Sequence, residues 1–128
     1  MKKLLLLLII PLFSFGQIHE FNTYKNINII ANGKLINKVN NTSYWFWISS
    51  SLVNKSKSTK HSTASTKYKY WFNEDWNYTD KEGRQHFIRE DKQGKFILDL
   101  VSLEPKVIEI WWDVNQKVLK QTNYYIKE

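Results

Sequence analysis

Four tryptophans stand at positions where strand alternation would turn them away from a core. In the stretch Ser43 to Ser49, Tyr44, Phe46 and Ile48 alternate with Trp45, Trp47 and Ser49. In Lys67 to Phe72, Tyr68, Tyr70 and Phe72 share one parity, while Lys67, Lys69 and Trp71 share the other. In Lys106 to Val114, Ile108, Ile110, Trp112 and Val114 are the expected core face, opposite Val107, Glu109, Trp111 and Asp113. Successive side chains of a strand point to opposite faces, so Trp45 and Trp47 would lie about 7 Å apart on one side. That spacing suits stacking against successive flat units of a chain-like ligand, and lysines beside the indoles would pair with its anionic groups. Trp45, Trp47, Trp71, Trp111, Lys67 and Lys69 are therefore the candidate ligand-binding residues. The competing expectation is that the Ser/Thr-rich segment near 50–66 folds over these rings, or that a barrel interior takes them, since contiguous exposed aromatic patches are uncommon on monomers.

Catalytic chemistry is poorly represented. His19, His61 and His86 are scattered, and none has metal-ligand spacing. His86 shares parity with Ile88 and Glu90, which reads as a structural histidine more readily than as a base. Glu74, Asp75, Asp80 and Glu82, with Asn73 and Asn77, form an oxygen-rich stretch without EF-hand spacing, and a charged turn explains it better. There is no nucleophile elbow, P-loop or dinucleotide fingerprint. The expectation is a non-enzymatic protein without metal or cofactor.

The elements that must position these residues belong to a small chain of 128 residues with no Cys. That excludes disulfide frameworks, thiol catalysis, iron–sulfur clusters and thiolate zinc sites. An aromatic content of 16% and a hydrophobic content of 42% exclude a disordered polymer. Charge is unevenly placed. Phe21 to Asn73 holds eight lysines and no acid, whereas Glu74 to Glu128 holds nine basic and 11 acidic side chains. Lysines often blunt exposed strand edges, and an anionic partner is the sharper reading.

Met1-Lys2-Lys3, an apolar run from Leu4 to Phe15, and small residues at Ser14 and Gly16 match the three regions of a bacterial secretory signal. The run is well short of the ~20 residues a spanning helix needs. Cleavage is expected after Gly16, leaving residues 17–128 as one exported domain, periplasmic or secreted, and not an integral membrane protein.

Period-2 alternation with turn punctuation dominates that domain. Expected strands are Asn26 to Ala31 and Lys34 to Val39, joined by the hairpin signal Asn32-Gly33. Ser43 to Ser49, Lys67 to Phe72, Asn77 to Thr79, Arg84 to Glu90, and Lys95 to Leu103 before Pro105 follow. Lys106 to Val114 and Lys117 to Ile126 close the chain across Asn115-Gln116. Ser or Thr fill ten of the 18 positions from Ser49 to Thr66. This segment, near 50–66, is expected to be a long loop in which a further strand could hide. The fold class is all-β: a single antiparallel β-sandwich or small β-barrel of about eight strands.

Three functions fit such a chain. The first is a binding module whose Trp/Lys face meets a glycan or other anionic polymer, with nucleic acid ranked lower for an exported protein. The second is a lipocalin-like carrier of a small apolar ligand inside a barrel. The third is a protein-interaction partner or inhibitor in the bacterial envelope, using the same aromatic anchors.

Overall fold

The computed structural model describes residues 19–31, 34–40, 42–58, 66–115 and 117–127. The signal region with its cleavage point, the Asn32-Gly33 turn and His61 lie outside them. Ten strands form one antiparallel sheet: β1 (His19–Ala31), β2 (Lys34–Asn40), β3 (Ser43–Ile48), β4 (Leu52–Ser58), β5 (Thr66–Trp71), β6 (Tyr78–Thr79), β7 (Gln85–Ile88), β8 (Gly94–Asp99), β9 (Lys106–Trp112) and β10 (Val118–Ile126). Their order is β5-β4-β3-β1-β10-β9-β8-β7-β6, with β2 on β1. The described residues contain no α-helix, only a 3-10 turn at Glu74–Trp76, which Asn73 caps by accepting from the Asp75 amide.

The long strand β1 is the pivot. Its first residues, His19 to Asn22, pair with β3, and the stretch from Thr23 to Ala31 pairs with β10. Register shifts at Thr23/Lys25 and Asn28/Ile30 mark irregularities in the strand. Such bulges bend a strand and sharpen its twist, which lets one strand serve two differently oriented halves of a sheet. Thr23, buried beside the bend, accepts from the Tyr44 amide through its hydroxyl. Asn26, also buried, donates from its amide nitrogen to the Thr42 carbonyl.

The curl of the sheet follows from one contact. β4 and β9 are four steps apart in the strand order, so a flat sheet would separate them by roughly 19 Å at ~4.8 Å per step. Instead, Lys55 Nζ of β4 stands 3.0 Å from Glu109 Oε2 of β9. The residues that follow β5 also meet those that end and follow β7, near the other end of the path. Asn73 donates to the Ile88 carbonyl (3.1 Å) and Glu90 to the Trp71 carbonyl (3.0 Å), around a single bridge between Phe72 and Arg89. Among the described residues, no continuous ladder closes the sheet.

Inside the curl lie Phe46, Ile48, Val53, Phe72, Phe87, Phe96, Leu98, Val107, Tyr124 and Ile126, all buried. Their rings pack edge to face in pairs such as Phe46–Tyr124 (5.0 Å between centroids) and Phe72–Phe96 (5.7 Å). Such pairs add about 0.5–1.5 kcal/mol each beyond the area they bury.

Three expectations are corrected. β1 begins seven residues before Asn26, because its first residues, His19 to Asn22, pair with β3 and Thr23 and Lys25 with β10. The stretch expected as a loop contains β4 at Leu52–Ser58, paired on both sides, by β3 and β5. In β9 the inward face is Val107, Glu109 and Trp111, the reverse of the assignment from alternation, and Val114 is exposed. The pattern misleads there because Val107, Ile108 and Glu109 are all buried, so both faces of the strand are covered.

Candidate functional site

The outer face of the β1–β3–β4–β5 half carries five of the six candidate residues. Directly opposed residues of antiparallel strands lie on the same face, so the registers define rows. One row is Asn22, Trp45, Ser56 and Lys67. The next is Glu20, Trp47, Asn54 and Lys69. Leu52 opposite Trp71 begins a third. Trp45, Trp47 and Trp71 are 39%, 36% and 58% exposed, too open to belong to a core. The indoles of Trp45 and Trp47 lie nearly parallel, with centroids 6.4 Å apart and planes at 27°. Lys67 and Lys69 are exposed on the same side as Trp71. The sequence forces this: Phe46 and Ile48 in β3, and Tyr70 in β5, pack inward, and alternation leaves the indoles outside.

Trp111 does not join them. It faces the interior, 5.4 Å from the Tyr70 ring, with the Arg89 guanidinium stacked 4.0 Å from its centroid. Arg89 also sits 5.4 Å from Tyr70, so a cation closes one end of the aromatic interior.

A second constellation was not legible in the sequence. Lys55 and Glu109 are 7% and 2% exposed. Lys55 Nζ donates to both Glu109 oxygens (3.3 and 3.0 Å) and lies 3.4 Å from the Tyr124 hydroxyl, which itself donates to Glu109 Oε1 at 2.9 Å. Tyr44, Tyr68, Tyr70 and Tyr124 surround the ammonium at 4.9–5.5 Å from their centroids. Burial pushes the Lys55 ammonium below its ordinary 10.5, against the pull of Glu109. Burial raises the Tyr70 and Tyr124 hydroxyls, and the charge of Glu109 adds to it. The signal available was the shared parity of Val53, Lys55 and Lys57, which places a lysine on the core side of any strand drawn there. Every polar group of the Lys55–Glu109–Tyr124 set is spent on its neighbours, so the arrangement holds the two halves of the sheet together.

The oxygen-rich stretch is a tied turn. Asp80 accepts from Arg84 Nε (2.8 Å) and from the amides of Glu82 and Arg84, and His86 Nε2 stands 2.8 Å from Asp80 Oδ2. Tyr78 stacks on the buried His86 ring at 4.3 Å. His86 Nδ1 is buried with no hydrogen-bond partner among the described residues. Burial raises the Asp80 carboxyl, but the hydrogen bonds from His86 and Arg84 outweigh it and hold the group well below the carboxylate range. Burial holds the His86 imidazole below its ordinary 6.5, against the opposing hydrogen bond to Asp80.

A base whose folded pKa is lowered lets the unfolded chain take up the proton first. Its contribution to stability is therefore complete above 6.5 and declines as pH falls below that value. Asp80 acts in the same direction only in stronger acid, below its ordinary 3.8. Urea midpoints should accordingly fall from pH 7.5 to pH 5, and His86→Gln should reduce that fall to the part contributed by His19, whose imidazole burial also holds below 6.5. An unchanged slope in the variant would remove His86 as its cause.

Among the described residues, no group of three or more His, Asp or Glu is placed to hold a metal ion, and no helix is long and apolar enough to cross a membrane. No protein-family model, curated protein or solved structure matches the chain.

Proposed function

We propose that the chain is an exported, non-enzymatic binding module whose outer β1–β3–β4–β5 face holds a polymeric ligand, a glycan or other anionic chain. The observation that carries this reading is the register. Three exposed indoles and two exposed lysines from different strands share one continuous face. Large aromatic platforms left in water cost solubility and raise the hazard of association, and a binding role accounts for them. We read the curled sheet as a barrel left open along one seam, supported by the Phe72–Arg89 bridge. Its interior is packed ring against ring, which favours a filled core over a carrier cavity.

The test is co-sedimentation with a panel of insoluble polysaccharides and immobilised polyanions. The natural chain should be retained by at least one, and Trp45→Ala/Trp47→Ala should lose at least about tenfold in affinity, since each stacked ring contributes about 1–3 kcal/mol. The indoles are 39% and 36% exposed and stack on each other, so the variant loses some stability, and its affinity is read at a temperature where circular dichroism shows it folded. Failure of every polymer to retain the natural chain refutes the proposal.

A further inference from the structure

The rows across this face say what kind of polymer it fits. Resting on the reading above, we propose that the ligand is an acidic polysaccharide, a chain whose every ring carries an acid group, lying along β3 with its acids turned toward β5. Each row repeats the same order of chemistry. An indole platform on β3 (Trp45 or Trp47) is followed by a hydrogen-bonding side chain on β4 (Ser56 or Asn54), then by an ammonium on β5 (Lys67 or Lys69). The two rows are two residues apart on every strand, about 7 Å. A polymer satisfying both rows must present a flat, partly apolar ring and an anionic group together, once per repeat. A neutral glycan would leave the ammonium column unused. A polyanion without rings would leave the indoles unused.

Charge also orients the chain across the face. Glu20 stands opposite Trp47 on β1, and Asn22 opposite Trp45, so the β1 side of the indoles carries the carboxylate and the β5 side carries both lysines. Acid groups are repelled from the first edge and attracted to the second. The hydroxyl edge of each ring then faces β1, where Glu20 accepts hydrogen bonds.

Titration with hexagalacturonate, cellohexaose and polyphosphate separates this inference from the reading it rests on. The expected result is that hexagalacturonate binds more tightly than either of the others and weakens as salt is raised. Lys67→Gln/Lys69→Gln should lose roughly tenfold for hexagalacturonate and keep its affinity for cellohexaose, because two exposed charge pairs together amount to about one factor of ten. Both lysines are exposed, so this variant keeps the fold. Cellohexaose binding as tightly as hexagalacturonate, or an unaltered lysine variant, overturns the acidic-polysaccharide inference while leaving a glycan-binding face. Polyphosphate binding as tightly as hexagalacturonate, undiminished in Trp45→Ala/Trp47→Ala, overturns it in favour of plain charge attraction. If neither glycan binds, the acidic-polysaccharide inference falls, and the binding reading falls with it only when every other polymer of the panel also fails.

Discussion

Glu109→Leu should lose about 3–5 kcal/mol of unfolding free energy, because it leaves the Lys55 ammonium buried without its counter-charge. The four tyrosine rings around Lys55 offer their π faces but no anion. Two further measurements separate this cause from a simple packing defect. Lys55→Met/Glu109→Leu should recover most of the loss, since apolar replacement of a whole buried pair is often neutral or better. A deficit of about 1 kcal/mol should remain, from the Tyr124 hydroxyl that loses its acceptor. The single variant should also regain stability as pH rises toward 10.5. Its Lys55 pKa is lowered in the fold, so the unfolded chain binds more protons and stability climbs with pH until both states are neutral. A double variant no more stable than Glu109→Leu would contradict the assignment.

Phe96→Ala should cost about 3–5 kcal/mol, the usual range for deleting a buried ring. Phe96 is 1% exposed, and its ring meets those of Phe46, Tyr70 and Phe72 at 5.2–6.4 Å. These partners come from β3, from β5 and from the bridge residue beyond it, while Phe96 itself lies on β8. Removing it opens a cavity where β8 meets the β3 and β5 side of the sheet. Trp71→Ala provides the contrast: a larger ring is removed from an exposed position, and the loss should be below about 1 kcal/mol. Equal losses at the two positions would mean that inside and outside have been exchanged.

The alternation of Ser43 to Ser49 and of Lys67 to Phe72 was enough to place Trp45, Trp47, Trp71, Lys67 and Lys69 on one side of their strands. Each of these strands buries one face, and a half-buried strand writes its orientation into its sequence. β9 does not, because Ile108 is buried on the side away from the core cluster and Glu109 is buried within it. Nothing in that stretch distinguishes a Glu facing solvent from one facing a lysine four strands away. β4 was hidden for a different reason. Asn54, Ser56 and the two lysines look like loop composition, yet the strand is held by ladders on both sides and by an ion pair underneath. The rows of the candidate site needed the registers themselves, since alternation orders residues within a strand but says nothing of which residues face each other across strands.

Six tryptophans give six indole N–H signals, and their movement on adding hexagalacturonate to the nitrogen-labelled chain tests the binding face most directly. Signals of Trp45 and Trp47 should shift together with increasing ligand, and Trp71 with them, while Trp111, packed against Arg89, and Trp112, which donates to the Lys92 carbonyl, stay in place. Still signals at Trp45 and Trp47, or shifts confined to Trp111 and Trp112, would contradict the account.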